Sequence, residues 1–118
     1  MEKGEALVAL GALSQESRLD IYRLLVQAGP NGVAAGQIGA QLSLPSATLA
    51  FHLKELKIAG LVTVTRDGRS LIYAAEYPVM NSLLLYLTEN CCDRRSTVRV
   101  RPRRPEANVN TMRRQKRA

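Results

Sequence analysis

The stretch from Gly36 to Tyr73, GQIGAQLSLPSATLAFHLKELKIAGLVTVTRDGRSLIY, constrains this chain more than any other. Ile38 and Leu42 fall on one face of a short helix. Leu49, Leu53 and Leu56 recur at steps of four and three, which predicts a second helix with one apolar stripe. Pro45 lacks the donor that a first turn leaves unpaired, and Ser46 or Thr48 offers a hydroxyl to cap it. Gly60 ends that helix. Val62 and Val64 then alternate with Thr63 and Thr65, Asp67-Gly68 turns, and Leu71 and Tyr73 return as the second strand of a hairpin. Two short helices this closely joined cannot bury both stripes against each other alone, so a third must lie beneath. The pattern predicts a mostly α fold with a small β-hairpin wing, a winged helix-turn-helix. In that arrangement the second helix offers its N-terminal side chains to a DNA major groove.

The flanks supply the remaining elements. Glu5–Leu13 is a short apolar helix that leaves Leu7, Val8 and Leu10 exposed unless something covers them. From periodicity alone, packing on its own domain and contact with a second copy fit it about equally. Ser14 is placed as the N-cap of the next helix, with Glu16 favourable in its first turn. That helix runs to about Ala28, buries Leu19, Leu25 and either Tyr22 or Ile21, and stops at Gly29-Pro30. Asn31-Gly32 turns, and Val33-Ala34 adds a short third strand to the wing. A last helix starts at Tyr77-Pro78. Its Met80, Leu83, Leu84 and Leu87 make a face too broad for one domain's core, so with the first helix it forms the expected dimer surface.

The formal net charge of +7 is unevenly spread. Residues 93–118 hold ten Arg or Lys against Asp93 and Glu106, a net +8, while residues 1–92 hold seven basic and eight acidic side chains, a net −1. Contacts with nucleic acid from the body of the protein therefore depend on where its charges lie. Two parts follow: residues 1–92 as the DNA-binding and dimerisation domain, and residues 93–118, with two prolines and many like charges, as a basic disordered tail. With no Trp and Phe51 the only Phe, the core must be aliphatic. No apolar run approaches a membrane span, and MEKGEALVAL does not resemble a signal peptide, so a cytoplasmic protein without membrane contact is expected. No nucleophile–base pair, phosphate loop or carboxylate pair stands in a recognisable context, which argues against an enzyme.

The run LSLPSATLAFHLKELKIAGLV with the RDGRSLIY hairpin, preceded by LSQESRLDIYRLL from Leu13 to Leu25, resembles the core of the ArsR/SmtB family of metal- and metalloid-responsive repressors. The resemblance covers roughly Glu5 to Cys92. It implies a homodimer on double-stranded operator DNA and a bound inducer that causes release.

On the second helix of the motif, Leu49 and Leu53 face inward in this reading. Ser46, Ala47, Thr48, Ala50 and Lys54 are left toward solvent or DNA, with His52 beside them as a donor. A His52 without a DNA role is the competing reading, and Phe51 is assigned to packing. Arg66 and Arg69 flank the wing turn, placed to grip phosphate or a narrow minor groove, or else merely solvated.

Cys91 and Cys92 are the second distinctive feature, since adjacent thiolates bind soft thiophilic ions. The family's zinc and nickel sensors place His along the last helix, which has none here. Its better-known arsenic site uses cysteines where Val33, Ala34, Ala35 and Gly36 stand. A further arsenic-sensing branch carries adjacent cysteines at the end of the last helix, and ENCC resembles it, without that branch's occasional third cysteine. The resemblance thus implies a trivalent arsenic species as inducer, with no cofactor needed for DNA binding. Arsenite can exchange three ligands for sulfur, whereas methylarsenite or another organoarsenical has one position blocked by carbon and needs only two. Two thiols favour methylarsenite; antimonite belongs to the same chemistry. The alternatives are a thiol-based redox-sensing repressor of the same fold and a nonspecific nucleic-acid-binding protein acting through its tail.

Overall fold

A computed structural model describes residues 1–92. The expected tail falls on residues 93–118 and lies outside them. Contacts divide the chain between Leu87 and Thr88, so the unit Met1–Leu87 and the short described segment Thr88–Cys92 are treated separately.

The element order is α1 (Lys3–Leu13), α2 (Glu16–Ala28), β1 (Val33–Ala34), α3 (Ala35–Leu42), α4 (Ser46–Ile58), β2 (Val62–Asp67), β3 (Ser70–Ala75) and α5 (Tyr77–Thr88). This is a winged helix-turn-helix, with the mostly helical body and small antiparallel wing that the periodicity predicts. The strands lie in the order β1-β3-β2, so Val33-Ala34 is the third strand of the wing, pairing Val33 with Tyr73 and Ala34 with Ile72. The hairpin closes between Asp67 and Ser70 through Gly68-Arg69, one residue later than the Asp67-Gly68 turn expected.

Six aliphatic side chains, Ile21, Leu25, Ile38, Leu53, Leu56 and Leu61, are fully buried where α2, α3 and α4 meet. Each contributes about 1.5–3 kcal/mol by leaving water, enough to hold elements this short. Helix α2 presents Ile21, Tyr22 and Leu25 to this core and leaves Leu19 43% exposed, against the expected burial of Leu19. A step of three or four from Leu25 admits both Ile21 and Tyr22, and together they leave no inward position for Leu19.

The caps also differ from expectation. Ser14 closes α1, donating its hydroxyl to the Gly11 carbonyl at 2.9 Å, and Gln15 takes the N-cap of α2, its side-chain oxygen accepting from the Arg18 N–H at 2.9 Å. Pro45 is itself the N-cap of α4, with no side-chain capping bond, and its carbonyl accepts the first helical bond, from the Leu49 N–H, where Ser46 or Thr48 is expected to cap. Between α3 and α4 the chain turns through Ser43 in the left-handed region (φ 56). Gly39 permits that turn. A Cβ there would sit 3.2 Å from the Leu44 carbonyl oxygen, whose own N–H donates to the Gly39 carbonyl at 3.0 Å. Among the described residues no helix is long and apolar enough to cross a membrane.

Candidate nucleic-acid interface

Helix α4 has two distinct sides. Leu49, His52, Leu53 and Leu56 are buried, and Ala47, Phe51, Lys54 and Ile58 follow one another at four- and three-residue steps on the opposite, exposed side. Ser46, Thr48 and Ala50 are exposed as well. All the polar and small residues assigned to the N-terminal half of this helix therefore face outward except one.

The exception is His52, only 7% exposed, and its assignment as an outward donor is corrected. Its Nδ1 lies 3.3 Å from a terminal guanidinium nitrogen of Arg18. Arginine has only donors to offer, so Nδ1 accepts, and the ring proton of the neutral imidazole sits on Nε2. Burial, and then the Arg18 charge, hold its pKa below the ordinary value of 6.5. The Arg18 Nε donates to the Ala12 carbonyl at 2.8 Å, so one guanidinium ties the end of α1 to the inner side of α4. Phe51 is corrected in the opposite sense. Hydropathy assigns it to packing, yet it is 56% exposed, its ring edge-to-face with His52 at 5.5 Å and 60°. The sequence reading missed Arg18 altogether. Its partner stands thirty-four residues further on, and no local pattern connects them.

On the wing, Arg66 and Arg69 are both exposed, Arg66 on β2 opposite Leu71 and Arg69 in the two-residue loop. A helix with an outward row of small, aromatic and basic side chains beside a hairpin tipped with arginines has the form of a surface that reads duplex DNA.

A model for a helix-turn-helix domain matches residues 13–65, which span α2 through most of β2. The chain carries a helix-turn-helix domain. The domain's relatives are regulators of transcription. YceK of Bacillus subtilis, an HTH-type transcriptional regulator, is 37% identical over 59 residues, 50% of this chain. The match spans only 58% of YceK. The transcriptional activator HlyU of Vibrio cholerae is 28% identical over 94 residues, 78% of this chain and 84% of HlyU. Its solved structure superposes with a TM-score of 0.61, covering 78% of this chain and 99% of that one. The homodimeric winged helix-turn-helix domain of Mb0332 from Mycobacterium bovis, a possible ArsR-family regulator, superposes with a TM-score of 0.60 at 27% identity, over 72% and 77% of the two chains.

In the segment after α5, the Cys91 N–H donates to the Thr88 carbonyl at 2.9 Å, so both cysteines lie in a turn just past the helix rather than on it. Both thiols are free and exposed, with sulfurs 3.1 Å apart in a hydrogen bond. That bond, and then the neighbouring charge of Cys91, raise the pKa of Cys92. A soft ion that takes both sulfurs must displace the proton of that hydrogen bond and the other thiol proton with it.

Proposed function

We propose that this chain is a transcriptional repressor that binds operator DNA as a homodimer through α4 and the wing. A trivalent arsenical joining Cys91 and Cys92 releases it. The observation that carries the reading is the pair of exposed sulfurs 3.1 Å apart on a helix-turn-helix protein. Two bonds of about 2.3 Å from one thiophilic atom, meeting near a right angle, span a little over 3 Å, so little movement separates this geometry from a chelate.

No group of three or more His, Cys, Asp or Glu side chains that could hold a metal ion occurs among the described residues. Two sulfur ligands complete the coordination of methylarsenite, whereas arsenite needs hydroxide or a donor from the other subunit. Methylarsenite is accordingly the preferred inducer. For dimerisation the support is the apolar surface of α1, where Leu7, Val8 and Leu10 are exposed, and of α5, where Leu84, Leu85 and Leu87 are exposed. A groove bordered by Val8, Ile58 and Val79 joins the two helices. Homodimeric Mb0332 has the same fold. Two reader helices must lie about 34–36 Å apart to enter successive major grooves. A ligand that shifts that spacing weakens binding, by about 5–150-fold for coupling of ordinary strength.

The test is a titration of operator-bound protein with methylarsenite, arsenite, antimonite, zinc and peroxide. Release by methylarsenite at lower concentration than arsenite supports the reading. Release by arsenite alone removes the preference. Release by peroxide and not by arsenicals replaces the arsenical reading with thiol oxidation, which the same paired sulfurs favour as the second reading.

A further inference from the structure

Phe51 is the one phenylalanine of the chain, and it stands in solvent. In a body whose core is aliphatic apart from Tyr22, burying that ring is worth about 1.5–3 kcal/mol, and the fold forgoes much of it. The ring projects from the outward side of α4 one turn beyond the small Ala47 and next to Ala50, which leave room for a surface to approach, and Lys54 stands one turn further along. Its position is not left to chance. It rests edge-to-face on His52 at 5.5 Å, His52 is held by Arg18 at 3.3 Å, and Arg18 is anchored on the Ala12 carbonyl at 2.8 Å.

We propose that Phe51 determines operator sequence by packing on a thymine methyl group in the major groove. The inference rests on the reading of α4 as the DNA-reading helix and adds which base it selects. A phenyl ring has no donor or acceptor, so it leaves the polar edges of guanine, cytosine and adenine unpaired and gains nothing from them. Thymine alone presents an apolar group in that groove, its C5-methyl. Lys54 beside the ring, with Arg66 and Arg69 on the wing, supplies charge for the phosphates on either side. Arg18 and His52 are positioning residues that fix where the ring meets the base.

The experiment selects bound duplexes from a randomised pool with the full-length protein, then replaces each thymine of the enriched half-site by deoxyuridine, which deletes only the methyl. Wild type should lose about fourfold in affinity per methyl at one position, or about fifteenfold when both half-sites are changed. Phe51→Ala should bind the thymine operator correspondingly less tightly and be indifferent to deoxyuridine at that position. Phe51→Leu, which keeps an apolar side chain, should retain part of the discrimination. The dependence of affinity on salt should be the same for all three. Deoxyuridine costing Phe51→Ala or Phe51→Leu as much as wild type at every position overturns the proposal, as does a site with no sensitive thymine. A wild-type protein that enriches no sequence at all overturns the operator-binding reading beneath it.

Discussion

Nδ1 of His52 accepts from the guanidinium of Arg18 at 3.3 Å, which places a neutral imidazole against a permanent cation on the inner side of α4. A proton on His52 would set two positive charges in contact and break that bond.

Stability should therefore depend on pH in a definite direction. Burial and then Arg18 lower the pKa of folded His52 below 6.5, so the unfolded chain takes up this proton first as pH falls. The contribution is complete above about 6.5 and is lost as pH drops through the lower folded value. Thermal unfolding of wild type and His52→Gln between about pH 7.5 and 5 checks it. The advantage of wild type should shrink on the acid side, and a constant difference would exclude His52 as the titrating group.

Gly32 should tolerate no side chain. Its φ is +79, and a Cβ would lie 2.6 Å from the Tyr73 carbonyl oxygen, a backbone atom that cannot swing aside. Gly32→Ala should cost about 2 kcal/mol or more in urea unfolding. A loss below about 0.5 kcal/mol would mean that β1 is not held to β3 in this register.

The wing arginines should show themselves through salt. If Arg66 and Arg69 each touch one phosphate in each half-site, replacing either by Ala lowers the slope of log affinity against log salt by about 2 for the dimer. Preference among operator sequences should hardly change. Unaltered slopes in both variants would make these arginines solvated turn residues.

Cys91→Ser and Cys92→Ser should each bind operator as wild type does and resist release by methylarsenite. One remaining thiol cannot form the chelate. Mobility-shift titrations measure both properties on the same samples, and normal release of either variant would dismiss the pair as the sensing site.

A charge on the exposed side of α1 should oppose self-association. Leu7→Lys is expected to shift the protein toward monomer in sedimentation equilibrium, since Leu7 is exposed while the inward positions of α1 are filled by Ala6 and Ala9. Operator affinity should fall with it, because one reader helix contacts only one half-site. A wild-type protein that is monomeric at the same concentrations would remove the dimer from the account.

On α4 aliphatic periodicity and structure agree, Leu49, Leu53 and Leu56 facing inward, and Val33-Ala34 joins the wing as expected; on α2 the same periodicity misplaced Leu19. Where two residues competed for one place, local pattern was silent. Phe51 and His52 are neighbours, and hydropathy assigns the phenyl ring to the core and the imidazole to solvent. The fold reverses them because Arg18, distant in sequence, supplies the one hydrogen bond that makes an inward histidine tolerable. Ser14 and Gln15 likewise are both competent caps. The serine hydroxyl turned back to Gly11, which left the longer amide to serve α2. The exposure of the two thiols was legible in the charged residues flanking them and their closeness in their adjacency, but their place beyond the helix depended on the bond to Thr88, which composition does not encode.

Strand β1 is only two residues long, yet it is clasped to the returning strand of the wing and runs without a break into α3. Any pull on the hairpin tip is therefore passed through β3 to the base of the motif that carries α4. In the operator-bound dimer proposed above, such a head would enter or leave its groove whole, like a key bit on its stem. Control over occupancy would then fall to whatever sets the distance between two such heads, not to bending within either.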